Sequence, residues 1–502
     1  MMDSTQNIKS SKTGFIYSNN ISRMFCYLLL IASPWILLSI MLYLTKGSIG
    51  DSRAVWSDEL AYWHEILSCS QKGIEFGYYT INELVPSKLS FGTHGFGSIS
   101  AYLPFALSAG WNNNSILLAN TVYMSLAFAM LTIFARPSTK RVLFITVFYM
   151  TYTPLMLYCV TSMTELLNYA LLISYFILLD TYIKSRKYKS ILFVIILILT
   201  AYIACIRIIY IVLFLPILLE RYKVQNMQWS LIKPIGIWLA ISALLFFGSN
   251  LFISPYPMSF LSSTFEAPSI PDFIIMIIKH TLKNIYNFMN IRNGQILEIL
   301  QRYFVLIAFI YLLFKSEIIN SKFRKWNPTY FYALIVFSLV LVINITAYDI
   351  TDWRDYRVFA PFLFSIIIFL TLSTKNNKTI QWALSINLTI LAIAFISQAF
   401  TSTIQGFAVG RYNKVETIEE LKHLKYTTDA KSKFENTILV TEFNPDIALN
   451  IPAGIGISYL TEKLSDDFEI KSRYIYSKQR YSLKTHHIIS ESKQGYLYVR
   501  NQ

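Results

Sequence analysis

Long apolar runs dominate the chain, and short polar stretches divide them. The runs fall at about 24–45, 115–135, 141–160, 166–183, 188–220, 230–251, 297–314, 329–347, 357–373 and 379–400. Most are near the roughly 20 residues that a helix needs to cross a bilayer core. The run at 188–220 is too long for one crossing. Basic clusters flank it on both sides, KSRKYK (184–189) and ERYK (220–223), and such clusters collect in cytoplasmic loops. Folding the run as a hairpin that turns near Arg207 returns both clusters to one side. The pattern then predicts about eleven spans, with the N-terminus in the cytoplasm and the C-terminal region outside. Three substantial segments face outward: loop 46–114, loop 252–296 and the tail from about 401.

These outer segments carry patterns of their own. In the first loop, DELAYWHEILSCSQKG has helical spacing, with Leu60, Trp63 and Leu67 on one side. SISAYLPFALSAGW (98–111) predicts an amphipathic helix on the bilayer surface, anchored by Trp111. In the second loop, a Pro271–Asp272 start and an Ile274, Ile278, Leu282, Ile285 stripe predict another surface helix, and Lys279, His280 and Lys283 suit it poorly to spanning. From 411 the composition turns mixed and polar. ETIEELKHL reads as a helix, and NTILVTEF and GYLYVR read as strands. The expected fold class is an all-α polytopic membrane protein with a small extracytoplasmic α/β domain. Residues 1–23 form a cytoplasmic tail, 24–410 the transmembrane module and 411–502 the C-terminal domain.

Composition narrows the class. The 502 residues are 54% hydrophobic and 15% charged, whereas a soluble protein carries about 25% charged residues. The net charge of +15 fits basic cytoplasmic loops and does not call for nucleic acid. The first apolar run is too long for a signal-peptide core and lacks a small-x-small cleavage pattern, so it reads as a retained span. Four cysteines without CxxC or ligand spacing give neither a disulfide framework nor a zinc site. No P-loop and no GxGxxG following a strand indicates a nucleotide-sugar domain.

Several polar groups interrupt this pattern. Asp58 and Glu59 lie among Trp56, Tyr62 and Trp63 just past the first span. Ser57 followed by two acids is a helix start, so capping accounts for one carboxylate. The other reading is a general base acting on a hydroxyl, with the aromatics stacking on a sugar ring. Glu165 follows Thr161, Ser162 and Thr164 at the outer end of a span. It is either an interfacial cap or a second acidic group facing the same cavity, since ionisable groups at membrane depth tend to be functional. In NITAYDITDWRDYRVFAPFLF (344–364), Arg354 and Arg357 stand among Asp349, Asp352 and Asp355. The cluster either neutralises itself or offers guanidinium forks to a phosphate, Arg357 ahead of Arg354. Arg207 is a third phosphate candidate or a snorkelling arginine. His94, in GTHG, is a turn residue or a substrate contact.

A carboxylate pair after the first span, an outer loop with surface helices, about a dozen spans and an extracytoplasmic C-terminal domain together resemble the GT-C superfamily of polyprenyl-phosphate-sugar-dependent membrane glycosyltransferases. WSDELAYW resembles the family's acidic motif in the first outer loop. FGTHGFGSISAYLPFALSAGW resembles a stretch that reads His-Gly-Pro in bacterial relatives, with Phe96 here in place of the proline. TSMTELLNYALL places Glu165 where relatives carry a polar or acidic motif, and Arg357 with Pro361 resembles their late arginine motif. The resemblance implies inverting transfer of a sugar from a polyprenyl-phosphate carrier to a glycan acceptor such as O-antigen, at the bacterial inner membrane. It implies Asp58 as catalytic base, with Glu59 as its neighbour or substitute. Trp56, Tyr62, Trp63, His94, Glu165, Arg207, Arg354 and Arg357 are then substrate-binding candidates. Some members use a divalent cation, Mg or Mn, although no residue pattern here assigns one. The size and layout are also similar to the serotype-converting glucosyltransferases. The alternatives are an O-antigen polymerase or ligase, a lipid-linked sugar transporter or flippase, and a non-catalytic assembly partner. Transporters show paired halves, which this chain lacks. Polymerases and ligases usually place their dominant outer loop late, whereas here the first loop dominates.

Overall fold

A computed structural model describes residues 6–85, 95–185, 187–223, 231–249, 267–290, 296–315, 328–347, 356–374, 377–465 and 468–501. The helices in chain order are α1 (Gln6–Leu44), α2 (Ser57–Lys72), α3 (Gly95–Ala109), α4 (Ser115–Met130), α5 (Thr139–Thr151), α6 (Thr153–Tyr158), α7 (Glu165–Lys184), α8 (Lys189–Ile206) and α9 (Phe214–Arg221). They continue as α10 (Ile232–Ser249), α11 (Ile270–Met289), α12 (Ile296–Lys315), α13 (Pro328–Ala347), α14 (Tyr356–Ser373), α15 (Lys378–Ile396), α16 (Ala399–Ala408) and α17 (Pro445–Asn450). Among the described residues, seven helices are long and apolar enough to cross a membrane: parts of α1, α4, α7, α8, α12, α13 and α15. Shorter apolar helices lie in α3, α10 and α14. The chain is a multi-pass, mainly helical membrane protein with a small sheet.

Two apolar runs break where their sequences demand it. The run at 141–160 divides at Tyr152 into α5 and α6, with Pro154 in the first turn of α6, where its missing N–H is no loss. The run at 188–220 breaks at Arg207, whose backbone is extended (φ −144°, ψ 125°). A 3-10 segment, Ile208–Leu213, and α9 then lead back.

Basic side chains collect at one end of the bundle. Arg23 donates to the Arg136 carbonyl (2.7 Å), Arg141 to the Thr374 carbonyl (2.6 Å), and Lys184 to Asp180 (2.7 Å) and the Leu372 carbonyl (3.1 Å). Lys189 pairs with Glu220 at 2.6 Å. The N-terminal half of α1, the ends of α4, α7, α9 and α14 and the starts of α5, α8 and α15 therefore meet on one face.

The opposite end carries α2, α3 and a six-stranded sheet. Its strands are β1 (Tyr79–Ile81), β2 (Thr437–Val440), β3 (Gly456–Tyr459), β4 (Tyr474–Ser477), β5 (His486–Glu491) and β6 (Tyr496–Arg500), in the order β1-β3-β2-β4-β6-β5. The first four run parallel, and β6 and β5 add antiparallel strands. NTILVTEF and GYLYVR supply β2 and β6, whereas ETIEELKHL forms only a 3-10 turn at Glu419–His423. Strand β1 comes from the first outer loop and not from 411–502. Its Tyr79, Thr80 and Ile81 pair with Ile457, Ser458 and Tyr459, so the first loop supplies an edge of the C-terminal sheet.

Both loops form the helices that their spacing predicts, but in the first the packing differs from surface anchoring. Trp111 donates its indole N–H to the Trp63 carbonyl (3.0 Å) and lies edge-on to Tyr102, so it is tied into the protein. Gly97 lets α3 reach the end of α8: a Cβ there would stand 2.3 Å from the Cys205 carbonyl oxygen. Helix α11 starts at Ser269, whose hydroxyl accepts from Asp272 N. Its Ile274, Ile278, Leu282 and Ile285 stripe faces away from the protein, while His280, Asn284 and Phe288 are buried.

Helix α2 is clamped along its length to the sheet. Its buried Ser68 hydroxyl accepts from Gly454 N (3.0 Å), and His64 Nε2 donates to the Ile455 carbonyl (2.7 Å). Burial lowers the His64 imidazole to about 4, below the ordinary value near 6.5. Between those values the unfolded chain binds the proton and the folded one does not. Stability carried by neutral His64 is therefore complete above about pH 6.5 and is lost as the pH falls towards 4, by roughly 3 kcal/mol at most. Thermal unfolding in detergent should show wild type losing more stability over that interval than His64→Gln, which does not titrate.

Candidate active site

The end of the bundle opposite the basic face gathers four charged groups from four parts of the chain. Asp58 stands in the first turn of α2, where the helix dipole favours a carboxylate. Glu165 opens α7, Arg207 occupies the break after α8, and Arg357 stands in the first turn of α14. Arg207 Nη2 donates to Glu165 Oε1 at 2.9 Å. Arg357 Nη2 donates to Asp58 Oδ2 at 3.1 Å, and its Nε lies 3.7 Å from Glu165 Oε1. Two carboxylates and two guanidinium groups thus form a chain with no net charge, Arg357 bridging both acids.

Exposure separates the two acids. The Glu165 side chain is 1% exposed and the Asp58 side chain 31%. Among the described residues, Glu165 Oε2 has no hydrogen-bond partner, although a buried carboxylate oxygen calls for one. Arg357 is 26% exposed and Arg207 17%. Asp58 and Arg357 are therefore the solvent-accessible members, and Glu165 and Arg207 are the more buried ones.

Glu59 differs from its neighbour in every respect. Its side chain is fully buried. Oε2 accepts the backbone N–H groups of Val55 (2.7 Å) and Trp56 (3.0 Å), and Oε1 accepts Ser162 N and Arg411 Nη1, both at 2.8 Å. Four donors occupy the carboxylate and no solvent reaches it, so Glu59 cannot act as base or as a substitute for Asp58. Of the two readings of the acidic pair, capping belongs to Glu59.

The aromatics form no open sugar platform. Tyr62 is 1% exposed and Trp63 5%, and the Trp63 indole N–H donates to the Asn112 carbonyl at 3.0 Å. Both rings face inward because α2 is buried on nearly all sides. The Tyr62 hydroxyl lies 3.5 Å from Thr164 Oγ1, and burial raises its pKa well above the usual phenol value. Trp56 is half-buried, under the Arg411 guanidinium (5.2 Å) and edge-on to Phe407 (4.9 Å). His94 and Arg354 lie outside the described residues. Among the described residues no group of three or more His, Cys, Asp or Glu gathers. The two carboxylates best placed for a cation already face guanidinium groups.

Arg411, Arg53 and Asp446 went unmarked in the sequence. Arg411 follows the last apolar helices in VGRYN and is fully buried. A sequence signal is the arginine directly after an apolar helix and away from the basic clusters, where a local partner is called for.

No protein-family model and no curated protein matches the chain. Among solved structures it is similar to ArnT from Cupriavidus metallidurans, a crystal structure bound to undecaprenyl phosphate. That likeness has a TM-score of 0.46 and 10% identity over 93% of this chain and 98% of that one. It is also similar to the Archaeoglobus fulgidus oligosaccharyltransferase tethered with an acceptor peptide, with a TM-score of 0.44 and 11% identity over 86% of this chain and 64% of that one.

The burial difference gives an order of stabilities. Glu165→Gln strips the buried Arg207 of its carboxylate and should cost about 3 kcal/mol, whereas Asp58→Asn, in a half-exposed pair, should cost about 1 kcal/mol or less. Thermal unfolding of the two purified variants in one detergent checks the order.

Proposed function

We propose that this protein is a GT-C-like, inverting glycosyltransferase that moves a sugar from a polyprenyl-phosphate carrier to an extracytoplasmic glycan acceptor such as O-antigen. The supporting observation is the chain Asp58–Arg357–Glu165–Arg207 at the outer end of the bundle, half open at Asp58 and Arg357 and closed behind. In this reading Asp58 takes the proton from an acceptor hydroxyl as that oxygen attacks the anomeric carbon. The bond from that carbon to the phosphate oxygen breaks, and the departing polyprenyl phosphate keeps the electron pair. Arg357 binds the leaving phosphate, with Arg207 behind it, and a guanidinium fork suits that anion. Because Arg357 serves both Asp58 and the phosphate in this reading, an anion on Arg357 competes with the carboxylate for the guanidinium and raises the carboxylate's basicity. Glu165 holds both arginines and limits their mutual repulsion. In this reading the guanidinium groups supply positive charge at the leaving phosphate.

The orientation belongs to the same proposal. In this reading the basic end of the bundle faces the cytoplasm, as positively charged ends do, and the Asp58–Arg357–Glu165–Arg207 site and the sheet lie on the extracytoplasmic side.

The test is genetic and chemical. Cells lacking the gene are complemented with wild type or Asp58→Asn at equal abundance, and surface glycan is analysed by mass spectrometry. Wild type should add one sugar unit, and the variant should reduce that addition by about 10²–10⁴-fold, the usual share of a general base. Normal modification by the variant contradicts the base assignment. A change in chain length without a change in composition favours a polymerase or ligase, and retained lipid flipping by the variant favours a transporter.

A further inference from the structure

Asp58 and its partner Arg357 belong to different parts of the molecule. Arg357 stands on α14, inside the bundle. Asp58 stands on α2, whose principal packing partners are α3, α17 and β1 and not a spanning helix. The separation between base and phosphate-binding arginine is therefore set by whatever fixes α2.

A buried relay of polar contacts fixes it. Glu59, the next residue, caps the start of α2 and accepts from Ser162 N in the α6–α7 link. Its other ligand is Arg411 at 2.8 Å, with both side chains fully buried. Arg411 Nε donates to the Phe407 carbonyl (3.0 Å) and its Nη1 to the Arg53 carbonyl (3.2 Å). Arg53 N in turn donates to the Arg411 carbonyl (3.1 Å), and its Nε to the Gly410 carbonyl (2.9 Å). Its guanidinium pairs with Asp446, which opens α17 of the C-terminal domain and accepts Glu416 N at 3.2 Å. A buried ion pair is weak evidence of stabilisation, since apolar residues of the same volume often do as well. Its directional bonds fix geometry instead.

We infer that Arg411 and Glu59, with Arg53 and Asp446 behind them, are positioning residues that let the C-terminal domain set the place of Asp58 relative to Arg357. The inference rests on the proposed function. Under it the domain is part of the transfer site and not an appended binding module. A displacement of about 1 Å at a reacting group costs up to a hundredfold in rate, so small changes in the relay should be visible in transfer while the carrier site is untouched.

The test separates transfer from carrier binding in the full chain. Arg411→Lys keeps the charge and loses the fork; Asp446→Asn acts one step further away and leaves α2 intact. Each variant is scored for sugar added to surface glycan per folded molecule and, in nanodiscs, for affinity towards undecaprenyl phosphate. Transfer should fall roughly tenfold to a hundredfold in Arg411→Lys and less in Asp446→Asn, with carrier affinity within about twofold of wild type. If Arg411→Lys does not fold, Asp446→Asn decides by the same split. Transfer per folded molecule equal to wild type in the variants that fold, or transfer and affinity falling in step, overturns the positioning role. Asp58→Asn is the control: if it transfers normally, the function reading fails first, and that outcome is distinct from a silent relay with an inactive Asp58→Asn.

Discussion

Glu165, buried at the start of α7 with two guanidinium groups around one of its oxygens, is the interaction on which the end of the bundle opposite the basic face depends. A carboxylate stripped of water is costly unless cations and donors replace the lost solvation. Two arginines beside each other are equally costly without an acid between them. Arg207 and Arg357 meet that requirement only if the chain after α8 turns back at Arg207 and α14 begins beside it, which is how both helices are built. Asp58 completes the balance from α2. The long apolar run therefore bends where it does because its single arginine has a partner there.

The second constraint joins the first outer loop to the C-terminal sheet. A parallel edge strand of three residues is a weak unit alone, and β1 persists because α2 is bonded to the segment leading into β3. Loop 46–114 and domain 411–502, separated by 296 residues of chain, form one layer. Acids in that layer divide by burial: Glu59 is consumed in bonds to backbone and to Arg411, Glu83 accepts Ser472 N at 2.8 Å, and Asp58 stays partly exposed.

Much of this was legible from apolar spacing. The turn at Arg207, the helices of both outer loops, and strands β2 and β6 all follow from local pattern, because local period and charge decide them. What was not legible depends on contacts distant in sequence. Tyr79–Ile81 is too short to register as a strand until β3 lies beside it. Arg411 reads as an ordinary polar residue after a span until Glu59 is brought to it from 352 positions away. Asp58 and Glu59 are alike as letters; the helical turn sends one outward and the other into the cap. Tyr62 and Trp63 misled for a related reason, since aromatics beside an acid suggest a sugar platform until the burial of the whole of α2 is seen.

The most direct measurement is an experimental density map of the full chain with undecaprenyl phosphate in nanodiscs. The account predicts the phosphate within hydrogen-bonding distance of Arg357, with Arg207 behind it and Asp58 on the open side. A phosphate seated away from both arginines, with Arg357 still paired to Asp58, would contradict it.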